Sequence, residues 1–113
     1  MKREHRLKKR AAFTYVYKRG ERTGSRHLLL LSARSTEGLK VGLSVSKKVG
    51  KAGVRNRVKR LLREAVSAIE ERIDSSRMYV IVAHSSAAAM DYAEACAEVE
   101  KIFSRAGRLS EEE

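Results

Sequence analysis

At 113 residues, 42% of them hydrophobic, the chain has room for one domain with a modest core. Its formal charge of +11 points to a nucleic acid or an anionic membrane surface as partner. The single cysteine, Cys96, excludes an intramolecular disulfide and has no metal-ligand spacing around it. No signal peptide is recognisable, and the apolar run Leu28 to Leu31 is too short for a signal-peptide core or a membrane span. A soluble protein of a reducing cytoplasm is expected. The charge is unevenly placed. Residues 1–63 hold 20 Lys and Arg against three acids, and residues 64–113 hold five against 11, so one half is built to work on an anion and the other to close the fold.

In chain order, Met1 to Lys8 reads as a basic arm, mobile at its tip. Lys9 to Arg19 is a short helix ended by Gly20, with Phe13, Val16 and Tyr17 on one face. Glu21 to Ser25 is a loop or short edge strand. His27 to Ala33 has strand length, and Ser35 to Gly38 is a turn. Leu39 to Ser46 alternates: Leu39, Val41, Leu43 and Val45 on one side, Lys40, Gly42, Ser44 and Ser46 on the other. That is a half-buried strand whose second face is small and polar. Residues 47–53 form a glycine-punctuated basic loop, and a helix of about five turns is expected from Val54 to Ile73. On a wheel of about 100° per residue, Val54, Val58, Leu61, Leu62, Ala65, Val66, Ile69 and Ile73 make an apolar stripe. Arg55, Asn56, Lys59, Arg60 and Arg63 make a cationic stripe beside it. Tyr79 to Ala83 reads as a buried strand. Ser85 and Ser86 are candidate caps for the next helix. Asp91 to Ala106 reads as a last helix ended by Gly107, with Tyr92, Ala95, Cys96, Val99, Ile102 and Phe103 apolar. Leu109 to Glu113 reads as a mobile acidic tail. The order is that of a single-domain α+β sandwich, residues 1–113, with helices on one small sheet.

The segment Lys47 to Arg63 carries eight cations and no acid. A solvated helix face would interleave Glu, because like charges at i and i+4, such as Arg55 with Lys59, repel by a few tenths of a kcal/mol. A cationic N-terminus also opposes the helix dipole. Polyanion binding accounts for both features. Asn56 adds a neutral donor and acceptor able to reach a base edge or a 2′-OH. Phe13 and Tyr17 either anchor the first helix or stack on unpaired bases in a groove. The face Gly42, Ser44, Ser46 leaves room for a backbone or base. His5, His27 and His84 have no metal-ligand spacing, no nucleophile–base grouping is recognisable, and no catalytic or metal-binding side chain is expected.

The run V-G-L-S-V-S-K-K-V-G-K-A followed by R-N-R-V-K-R-L-L-R-E, with L-K-K-R-A-A-F-T-Y-V-Y-K-R-G before it, closely resembles the bacterial ribonuclease P protein subunit. The resemblance implies an α–β sandwich of order αβββαβα with a left-handed βαβ crossover (a ribosomal-protein-like fold). It implies that a catalytic RNA, using Mg²⁺ bound mainly by that RNA, cuts the 5′ leader from precursor tRNA. The protein, in a 1:1 assembly, then contributes binding alone. Lys48, Lys51, Arg55, Asn56, Lys59, Arg60 and Arg63 are the implied contacts to the ribonuclease P RNA. Phe13, Tyr17, Ser46, Lys47 and Lys51 are the implied leader cleft, and Ser44, on the small polar strand face, is placed with them. The run Leu28 to Leu31 stands where relatives often carry an aromatic, so less stacking is expected on that strand.

Three other classes fit parts of the sequence. A structured-RNA module of the ribosome or another ribonucleoprotein shares the basic helix but needs no cleft. A helix-turn-helix DNA binder is disfavoured by the interposed strands. A membrane-surface helix is disfavoured because the apolar stripe lacks Trp and Phe.

Overall fold

Alternation along the strands decides which side of the sheet each helix covers. In the computed structural model, which describes residues 1–111, the elements are α1 (Arg10–Arg19), β1 (Glu21–Gly24), β2 (Leu28–Arg34), β3 (Lys40–Ser44), α2 (Ala52–Ile69), β4 (Arg77–Ala83) and α3 (Tyr92–Arg105). This is the expected αβββαβα order. The sheet order is β1-β2-β4-β3. β1–β2 and β2–β4 are antiparallel, and β3–β4 is parallel, so β3 and β4 are the two arms of a crossover that runs through α2.

One face of the sheet presents Leu28, Leu30, Val41, Tyr79 and Ile81 to α2 and α3, which contribute Val58, Leu61, Leu62, Val66, Val99, Ile102 and Phe103. The Tyr79 and Phe103 rings meet edge-on at 5.0 Å between centroids, an arrangement aromatic pairs favour. The Tyr79 hydroxyl escapes burial cost by donating to the Asp74 carbonyl at 2.8 Å. On the opposite face α1 covers Leu31, Ala33, Met78 and Val80 with Val16. Val16 is fully buried, which contributes about 2 kcal/mol. The register continues one row further, Leu29↔Val82↔Ser44. All three are only half-buried.

The last helix is the best capped. The Asp91 carboxylate accepts from Glu94 N–H at 2.8 Å, and Glu94 accepts from Asp91 N–H at 3.1 Å. Such a reciprocal box is worth about 1 kcal/mol. Gly107, at φ +72°, ends α3 in the left-handed conformation that glycine adopts freely. Its N–H donates to the Ser104 carbonyl, and the next N–H, of Arg108, donates to the Phe103 carbonyl.

Several sequence expectations are revised. α2 begins at Ala52, so Gly53 is helical, and it ends at Ile69, followed by a 3₁₀ turn over Glu70–Arg72. Ile73 still reaches the core, but from an antiparallel bridge to Leu109. There Asp74 N–H donates to Arg108 and Ser110 N–H to Arg72, so pairing with the segment after α3 wins over one more helical turn. The same pairing holds Leu109 and Ser110, expected in a free tail; Glu112 and Glu113 lie outside the described residues. Ser85 and Ser86 cap no helix; they open a 3₁₀ turn, Ser85–Ala89, and Ser86 instead bonds His27 Nδ1 at 2.8 Å. Val54 and Tyr92 are exposed, because each stands in the first turn of its helix, ahead of the part that meets the sheet. Cys96 is half-buried.

The arm 1–8 lies against β3 and the end of α2. Leu7 is buried and its N–H donates to the Val41 carbonyl at 3.0 Å. Lys40 Nζ donates to the Glu4 carbonyl at 2.6 Å. Glu70 accepts from Lys2 N–H at 2.9 Å and pairs with His5 Nδ1 at 2.5 Å. The open edge of β3 draws the arm in, since unpaired strand groups seek partners.

Candidate RNA interface

The loop after β3 is held by two buried valines, Val45 and Val49. The Val49 N–H donates to the Ser46 carbonyl. Ser46, Lys47, Lys48 and Lys51 stay exposed. In α2 the buried residues Val58, Leu61, Leu62, Ala65 and Val66 fix the helix rotation. Arg55, Lys59 and Arg63, one turn apart, are therefore half-buried along one flank, and Asn56 and Arg60 are exposed. Among the described residues, none of the eight cations from Lys47 to Arg63 lies within 4.0 Å of a carboxylate. Only Arg57 has a structural use: it donates to the Ala88 carbonyl at 3.2 Å and the Met90 carbonyl at 2.7 Å. The Nε of Arg55 is buried without an acceptor. Unpaired like charges on one flank raise the free energy of the isolated protein and lower it when phosphates arrive.

On the α1 side, the Phe13 ring lies directly on the backbone of Gly42. A Cβ at Gly42 would stand 2.5 Å from Phe13 Cζ and 3.2 Å from Leu7 Cβ. The room that Gly42 leaves is thus filled by the protein's own ring. A cavity of about 260 Å³ opens beside it, lined by Phe13, Leu43, Lys59, Arg63, Arg6 and Lys8 among others. Two cations expected on the catalytic-RNA face, Lys59 and Arg63, therefore share a groove with the aromatic expected in the leader cleft. Tyr17, one turn beyond Phe13, is exposed. Ser44 lies in the uncovered row of the sheet, with Ser46, Lys47 and Lys51 following in the loop. These five do not line the small cavity.

Sequence reasoning missed Leu29 and Val82, the apolar floor of the uncovered row, because four successive leucines and the run Y-V-I-V-A carry no polar marker of facing. It also missed the placement of Arg6 and Lys8, whose charges are plain but whose docking depends on Leu7. Two of the histidines have partners outside the groove lining: His5 meets Glu70, and His27 meets Ser86. Among the described residues no three His, Cys, Asp or Glu side chains gather as metal ligands, and no helix is long and apolar enough to cross a membrane. The arrangement can hold phosphates and lay an unpaired base against Phe13; it offers no nucleophile with an adjacent base at the groove.

Known proteins with this pattern agree. The ribonuclease P family model matches residues 1–107. The ribonuclease P protein component of Bacillus cereus (strain Q1) is 38% identical over 109 residues, 95% of each chain. The Staphylococcus aureus RNase P protein superposes with a TM-score of 0.86 at 28% identity, covering 94% of this chain and 98% of that one. A mutant of the S. aureus protein, described as having defective mRNA degradation activity, superposes equally well (TM-score 0.86, 28% identity, 93% and 90% covered). With a family model matched over residues 1–107 and a relative 38% identical over 95% of each chain, this chain belongs to the ribonuclease P protein family.

Proposed function

We propose that the protein binds the ribonuclease P RNA in a 1:1 cytoplasmic assembly and grips the 5′ leader of precursor tRNA, promoting leader removal while the RNA carries the chemistry. One observation carries this reading: Lys59 and Arg63, without carboxylate partners, face the same cavity as Phe13. Charge holds the strand there and the ring meets a base. The exposed residues Lys48, Lys51, Asn56 and Arg60, with the half-buried Arg55, are the docking surface for the catalytic RNA. Tyr17, Ser44, Ser46, Lys47 and Lys51 continue the leader path over the half-buried Leu29 and Val82. By neutralising phosphates, the protein lets two polyanions approach each other. Mg²⁺ is assigned to the RNA.

In the reconstituted complex, Phe13→Ala should weaken binding of a precursor with a leader on the order of tenfold, the worth of one stacked base, and leave mature tRNA binding unchanged. Equal losses for both would reduce Phe13 to a core residue and remove the cleft.

The S. aureus mutant described as defective in mRNA degradation supports a second reading, in which the polypeptide itself takes part in RNA breakdown. The imidazole–carboxylate pair His5 with Glu70, the one such pair among the described residues, is its natural test. If the isolated protein degrades an unstructured RNA and His5→Ala abolishes this, the second reading holds.

A further inference from the structure

A second cavity, of about 770 Å³, is lined by Lys2, Arg3, Arg6, Lys8, Lys9 and Lys40 with two acids, Glu4 and Glu37. It shares the wall Arg6, Leu7, Lys8 with the small cavity that holds Phe13, Lys59 and Arg63. The arm therefore presents cations to two hollows at once. We propose that this larger hollow is a further phosphate site, which seats a short run of single-stranded RNA backbone by charge and reads no base.

Three features support this. Six cations meet two acids around the hollow, and among the described residues no lysine or arginine of the six forms a salt bridge. The arm's backbone is bonded to Val41, Lys40 and Glu70, so binding orders the side chains without also having to order the chain that carries them. No aromatic side chain lines the hollow; its apolar members are Leu7 and Ala12. A site with cations and no ring suits phosphates and is indifferent to sequence. The shared wall gives continuity: a strand lying against Lys59 and Arg63 passes Arg6 and Lys8 and arrives among Lys2, Arg3, Lys9 and Lys40. The inference rests on the reading of α2 as an RNA-binding helix.

The test is the salt dependence of binding of the full-length protein to 20-nucleotide oligouridylate and oligoadenylate. The variant Arg3→Ala with Lys9→Ala removes two exposed side chains that make no polar side-chain contact among the described residues. It should weaken both oligonucleotides alike, on the order of tenfold, and flatten the slope of log K against log salt by about 1 to 1.5. Glu37→Gln, which removes a repelling charge, should tighten both. A control with the same change of charge, Arg34→Ala with Lys101→Ala, lines neither hollow and should have a much smaller effect. An unchanged slope in the Arg3/Lys9 variant, an equal loss in the control, or weaker binding by Glu37→Gln overturns the site. The variant Lys59→Ala with Arg63→Ala tells the two readings apart. If it weakens binding while Arg3/Lys9 does not, the hollow alone fails; if neither weakens binding, the reading of α2 fails with it.

Discussion

Gly42 and Phe13 fit as a pair, and each constrains the other. The ring occupies the space a side chain at position 42 would need, so Gly42→Ala must push it outward. Phe13 is half-buried beside an open cavity, so the ring can move, and the cost should be about 1 kcal/mol, at the low end for overpacking. The two changes should couple: in a Phe13→Ala background, Gly42→Ala should cost about 0.5 kcal/mol less or better. Urea unfolding of the four proteins checks this; additive losses would show that the ring does not rest on Gly42. The alternation of Leu39 to Ser46 made the small face of β3 legible in the sequence. That its central glycine is a seat for Phe13 was not, because the contact joins residues 29 positions apart and sequence spacing holds no record of it. Leu29 and Val82 were illegible for the same reason: only the β2–β4–β3 register sets them beside Ser44.

Within α2, one stripe serves two purposes that mutation can separate. Arg57 holds the turn after β4 through the Ala88 and Met90 carbonyls, whereas Arg60 is exposed with no partner among the described residues. Arg57→Ala should lower stability by about 1 to 2 kcal/mol. Arg60→Ala should leave the melting temperature unchanged and weaken binding to the catalytic RNA. Thermal melts and binding of both variants check the division, and a destabilised Arg60→Ala would contradict it. Acid carboxylates hold the junctions between elements. Burial opposes ionisation of Glu98, but the Ser25 hydroxyl and the His27 N–H outweigh it and keep its pKa below the ordinary value of 4.5. The Ser76 hydroxyl and N–H, with Arg108, hold Asp74 below 3.8. With native pKa values lowered, the unfolded chain binds more protons. The stabilisation is complete above about pH 5 and is lost as pH falls through the lowered values. The urea midpoint should drop between pH 5 and pH 3, and less steeply in Glu98→Gln; an equal drop in that variant would remove Glu98 as a cause. The helices themselves were legible from periodicity. The end of α2 was not, because Ile69 and Ile73 keep helical spacing while Ile73 is held by a bridge to Leu109.

Taken whole, the molecule separates its charge: the basic half supplies the arm, α1, the loop and the first turns of α2, and the acidic half supplies β4 and α3. That division was visible in the order of charges along the sequence, whereas net charge alone left a nucleic acid and an anionic membrane surface both open as partner. What composition could not show is that the arm, the α1 aromatic and the α2 cations meet, which depends on the docking of Leu7 against Val41. The central claim is that the polypeptide grips RNA and leaves bond cleavage to an RNA partner. The most direct test is multiple turnover of a labelled precursor tRNA by the ribonuclease P RNA at low Mg²⁺, with the protein present, absent, or alone. The account predicts that added protein raises turnover of the RNA and that the protein alone releases no leader. Leader release by the protein alone, or RNA turnover indifferent to the protein, would contradict it.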